Sequence, residues 1–82
     1  MNLKNVWNSA EWQRENGFAV PGDLVVFENH GGSDWDRAFA IKTGLVEGEK
    51  YEVETTNVEA WSSDYKLKGF SGSFNTCMFE VV

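Results

Sequence analysis

The sequence predicts a mainly β, all-β-class protein of one domain, a small five-stranded barrel preceded by a short N-terminal α-helix. Two observations carry the barrel. The stretch from Gly44 to Glu54 joins a turn to the clearest period-2 pattern in the chain, with Tyr51, Val53 and Thr55 on one face and Lys50, Glu52 and Glu54 on the other. That is the pattern of a strand with one face on a core and one in water. The 82 residues, 41% hydrophobic and 15% aromatic, are enough to close one core and too few for a second. A third observation carries the helix, whose start signals gather near the N-terminus.

Residues 1–22 read as a helical extension and residues 23–82 as the barrel. After the apolar Leu3 and Val6, the run Trp7-Asn8-Ser9-Ala10-Glu11-Trp12 places Asn8 at the N-cap and Glu11 at the capping-box position. Trp7 and Trp12 then stand at the two ends of a hydrophobic staple. Gly17 supplies the stop, with Arg14 near the negative end of the helix dipole. A helix of about two turns does not hold in water by itself, so its tryptophans must be buried. They either cap one end of the barrel or form an arm offered to a partner.

Pro21-Gly22 favours a type II turn, because proline presets one dihedral and glycine accepts the positive one. In the strand that follows, Leu24 and Val26 alternate with Val25 and Phe27. Both sets are apolar, so the strand is expected to be covered on both faces, the helix lying over the second. Residues 29–43 begin with the glycine and Asx content of a mobile loop, and Arg37-Ala38-Phe39-Ala40-Ile41 then regains strand-like alternation. This reads as a long hairpin-like excursion. The central hairpin is registered by charge: pairing Glu52 with Lys68 and Glu54 with Lys66 sets Val53 against Leu67 and Thr55 against Tyr65. Its turn falls within residues 57–63. A short strand kinked by Gly69 and Gly72 follows, then one helical turn over residues 75–78 and a closing strand over residues 79–82.

Thirteen acidic against seven basic residues give a net charge of −6, which argues against a surface that tracks phosphates. Direct nucleic-acid binding is disfavoured; the acid either keeps the chain in solution or is displayed to a basic partner. Cys77 is the single cysteine, so no intrachain disulfide or cysteine-based zinc site forms, and a reducing cytoplasm is expected. No apolar run approaches the ~20 residues of a membrane span and no signal peptide is evident, so no membrane role is expected.

No reaction emerges from the side chains. His30, Asp34 and Asp36 lie close in sequence, but their spacing matches no standard metal site and Gly31-Gly32 loosens it. Cys77 with His30 lacks an orienting third group, and Cys77 is expected to be small and buried. Gly31-Gly32-Ser33 lacks the lysine and the strand-to-helix context of a phosphate loop. Neither cofactor nor catalysis is expected.

The layout resembles the SH3-like barrel. Gly48-Glu49-Lys50-Tyr51-Glu52-Val53 matches that family's diverging-turn pattern, Trp61 falls where its tryptophan opens the third strand, and Gly72-Ser73-Phe74 leads into its 3₁₀ turn. The peptide-binding members hold polyproline ligands in aromatic grooves, but the proline and tyrosine they place near the 3₁₀ turn fall at Asn75 and Met78 here. The chain looks more like the small stand-alone SH3-like proteins of tailed phages and bacteria, some of which end in a segment similar to residues 74–82. The resemblance implies a non-catalytic protein-interaction module, a phage or bacterial accessory protein whose partner is a host or phage protein. Trp35, Trp61 and Phe27 are its candidate aromatic surface, with Asp34 and Asp36 at the polar rim. The alternative is an acidic nucleic-acid mimic that inhibits a basic host defence protein. The neutralisation of Glu52 and Glu54 by Lys68 and Lys66 weighs against it.

Overall fold

The computed structural model describes residues 7–28 and 30–82; Leu3, Val6 and Asn29 lie outside them. Five antiparallel strands, β1 (Leu24–Phe27), β2 (Lys50–Val58), β3 (Ser63–Leu67), β4 (Phe74–Asn75) and β5 (Phe79–Val81), are arranged in the order β4-β3-β2-β1-β5. A 3₁₀ turn, Thr76–Met78, joins β4 to β5. The protein is mainly β, as its alternating segments predict. Among the described residues β4 and β5 form the two edges and do not pair, so the barrel is not closed.

The long β2 pairs with β1 through Leu24–Glu52, Val25–Tyr51 and Val26–Lys50, and with β3 through its later residues. Val53 faces Leu67 as the charge register requires, and Lys68 meets Glu52 at 3.6 Å. The pairing then slips: Thr55 faces Lys66 and Thr56 faces Tyr65, leaving Glu54 as the extra residue of a β-bulge. The expected Glu54–Lys66 and Thr55–Tyr65 pairs are replaced because one residue is spent on the bend. Thr56, not Thr55, therefore turns inward and is buried.

The core gathers Val25, Phe27, Val53, Tyr65, Leu67, Phe74 and Met78. Phe79 bridges it, its ring centroid 5.7 Å from both Phe27 and Tyr65. Each buried ring removes on the order of 150–250 Å² from water, so these few side chains supply most of the hydrophobic stabilisation. Tyr51 ties in the preceding turn, its hydroxyl accepting from the Val46 N–H at 2.8 Å.

Helix α1 (Ala10–Glu15) is capped by Ser9, whose hydroxyl accepts from the Trp12 N–H at 3.3 Å, one residue beyond the expected Asn8. The helix does not cover β1. Val25 and Phe27, the pair it was expected to overlie, face the core instead, and Leu24 on the other face stays exposed; α1 sits at the far end of β2. There Gln13, only 2% exposed, donates to the Trp7 carbonyl at 2.9 Å and the Thr56 carbonyl at 3.3 Å. The segment behind it is bound as tightly. The Ala19 N–H donates to the Tyr65 hydroxyl at 2.9 Å, and Thr56 Oγ1 donates to the Ala19 carbonyl at 2.7 Å. At Pro21-Gly22 the Asp23 N–H closes onto the Val20 carbonyl at 2.9 Å with Gly22 at φ 95, the turn the sequence predicts.

Residues 34–43 are the main departure from the expected strand. They form α2 (Asp34–Thr43), with Ser33 as N-cap, a complete capping box to Asp36, and Gly44 closing the helix at φ 114. Only glycine takes that left-handed conformation at little cost. Ala40 is the helix's one fully buried side chain, and the Phe39 ring lies 5.6 Å from that of Phe74, so α2 rests on β4 and the loop before it.

Candidate aromatic interface around helix α2

Two side chains stand out of the surface. Trp35, in the first turn of α2, is 82% exposed, and Trp61, in the turn between β2 and β3, is 97% exposed. Both are carried on hydrogen-bonded backbone. α2 is fixed by its two caps, and the tip of the hairpin is closed by the Glu59 N–H donating to the Ser62 carbonyl at 2.8 Å. An indole left in water on a capped helix or a closed turn is an anchor available to a partner, because less ordering entropy is lost when it is covered than on an open loop.

The other residues named from sequence divide. Phe27 is wholly buried and packs at a tilt against Phe79, so it offers no surface; its alternation in β1 marked the core. Asp36 is turned back on its own helix, accepting from the Ser33 N–H at 3.0 Å and the Ser33 hydroxyl at 3.1 Å. Its role is capping. Asp34 has a side chain 98% exposed and pairs with Arg37 across one helical turn, an exposed pair of little energetic weight. It remains at the rim.

Arg37 also holds the loop before the helix. Its guanidinium donates to the carbonyls of Gly31 and Gly32 at 2.9 and 3.1 Å. Gly31, at φ 72, packs so closely on the 3₁₀ turn that a Cβ there would stand 2.5 Å from the Cys77 carbonyl oxygen. Among the described residues no three His, Cys, Asp or Glu side chains are grouped to hold a metal ion. Cys77 is exposed, not buried as expected, and its thiol donates to Asn75 Oδ1 at 2.9 Å.

Sequence reasoning missed three participants. Ala38, Phe39 and Lys42 join Trp35 in lining a shallow cleft on α2; their i, i+3, i+4, i+7 spacing was the available signal, masked by the reading of this segment as a strand. Asp64, on β3, lies close enough to Asp36 for the two to repel. Partial burial first, and that repulsion second, push the Asp64 carboxyl above its ordinary value of 3.8. Asp64 is the second residue of β3, the strand that Trp61 precedes.

A family model described as Bacteriophage T4 protein Y07B matches residues 24–82, well over half of the chain. The match begins at the first residue of β1 and leaves α1 outside it. No curated protein and no solved structure matches significantly. The chain therefore belongs to this family of phage proteins.

Proposed function

From that family membership we propose that the chain is a small, non-catalytic phage accessory protein that binds another protein, of host or phage origin, through Trp35 and Trp61. The supporting observation is the exposure of these two indoles, 82% and 97%, in a chain that buries Phe27, Phe74 and Tyr65 in the core. Tryptophan is the residue most enriched at binding hot spots, where a few aromatic anchors carry most of the affinity. Asp34 contributes to a polar rim around them. The strand order and the 3₁₀ turn between β4 and β5 support an SH3-like origin for the frame, with α2 in place of the long loop of that layout. Residues 1–22 act in this reading as an added clamp, and the cytoplasm of the infected host is the working compartment.

A second reading, the acidic nucleic-acid mimic, gains from one observation. Lys68 neutralises Glu52, but the bulge separates Glu54 from Lys66, so more acid faces outward than the charge register predicts. One experiment weighs the two. The full chain is used to capture a partner from host lysate, and binding is then measured for Trp35→Ala and Trp61→Ala across a salt series. The interaction reading expects losses of about 2 kcal/mol or more at unchanged fold and shallow salt dependence. Neutral tryptophan variants with steep salt dependence overturn it in favour of the mimic.

A further inference from the structure

The outward side of α2 carries more than an exposed tryptophan. Trp35, Ala38, Phe39 and Lys42 share one face of the helix and line a shallow, open cleft of about 200 Å³. Ala38 is a small residue between two rings. The space is below the ≈ 300–1,000 Å³ of small-molecule pockets and suits a single aliphatic side chain. Charge is graded along the same helix. Asp34, paired with Arg37, and Asp36 stand at its start and Lys42 in its last turn, and Asp34 stays almost fully exposed despite that pair. Asp64 adds a further carboxylate beside Asp36, with no hydrogen bond or ion pair of its own among the described residues. The net charge of −6 disfavours a second copy of the chain against this face and favours a partner of opposite sign.

We infer that the α2 cleft receives an apolar side chain from a basic protein segment, whose lysine or arginine lies toward the Asp34 end of the helix and away from Lys42. The inference rests on the interaction-module reading and specifies its partner's chemistry. Ala38 sets the depth of the cleft, Trp35 and Phe39 form its walls, and the acidic end selects the sign of the neighbouring charge.

The test uses the isotope-labelled full chain titrated with the capped tetrapeptide acetyl-Lys-Arg-Leu-Leu-amide and, separately, acetyl-Glu-Glu-Leu-Leu-amide, followed by amide and indole NMR shifts. The basic peptide is expected to produce saturable shifts centred on Trp35 and Phe39, and the acidic peptide to bind about tenfold or more weakly. Ala38→Leu, which fills the cleft at an exposed helical position, is expected to abolish the response, and Trp61→Ala to preserve it. Absent shifts on α2, equal response to both peptides, an unaffected Ala38→Leu variant, or self-association of the free chain through these residues would each overturn the inference. Failure of the module reading looks different. A captured partner weakened by Trp61→Ala but held normally by Ala38→Leu removes the cleft and keeps the module. A captured partner indifferent to both tryptophans removes the module, and the peptide titration still decides the cleft.

Discussion

The four tryptophans form two pairs with opposite fates. Trp7 and Trp12 lie against one another with centroids 6.4 Å apart, and Phe18 stacks on Trp12 at 6.1 Å, so the N-terminal pair is half-buried in a small aromatic cluster of its own. Trp35 and Trp61 stand in water. Residue type does not decide between them; the support does. α1 is pulled onto β2 by Gln13 and by the hydrogen bonds of Ala19, which brings its rings together. α2 meets the core through Ala40 and the tilted contact of Phe39 with Phe74, which leaves its outer face uncovered. Aromatic content in a chain this short thus measures core and binding surface together.

Mutation separates the buried rings from the exposed ones, beginning where the loss is greatest. Phe74→Ala or Leu67→Ala is expected to cost about 3–5 kcal/mol in equilibrium urea unfolding, since each leaves a cavity at a fully buried position. Trp12→Ala should cost less, about 1–3 kcal/mol, because its ring is only half covered; a loss as large as that of Phe74→Ala would make the N-terminal cluster part of the main core. Tyr65→Phe leaves the buried Ala19 N–H without its acceptor and should lower stability by about 1–3 kcal/mol, with faster amide exchange at Ala19. Trp35→Ala and Trp61→Ala close the series, each within about 0.5 kcal/mol of the parent. A larger change would mean that the indoles serve the fold.

One substitution should act in the opposite direction. The folded state raises the Asp64 pKa, so this group's contribution to stability is greatest below its unfolded value and is lost as pH rises through the folded one. At neutral pH the ionised carboxylate is a burden, and Asp64→Asn is expected to raise the melting temperature there. The gain should vanish below the ordinary carboxyl range. A gain that persists in acid would point to a cause other than ionisation.

Most strands were legible because period-2 alternation and cross-strand charge are short-range signals: Tyr51, Val53, Lys68 and the Pro21-Gly22 turn all stand where their neighbours place them, whereas the strand expected over residues 69–74 shrinks to Phe74–Asn75 because its glycines make turns. α2 was misread because Ala38 to Ile41 is compatible with either period, and the deciding information sat at its ends. Ser33 with Asp36, and Gly44 at φ 114, fix the segment as a helix more firmly than its interior does. The surface was half legible. Trp35, Trp61 and Asp34 were found by residue type, whereas Ala38, Phe39 and Lys42 needed the helical period. Phe27 needed the three-dimensional side of β1, and the placement of α1 rested on Gln13, a polar residue whose burial depends on a carbonyl 43 positions away.

The bulge in β2 has a bearing on how this chain can vary in length. Val53 before it and Thr56 and Val58 after it all face the core, while Glu54 and Thr55 both face solvent. Removing Glu54 would restore simple alternation without turning any of the three inward residues outward, whereas deletion between Thr56 and Val58 would put inward and outward positions out of step. Position 54 is therefore the place in the strand where family members can differ by one residue and still share a core.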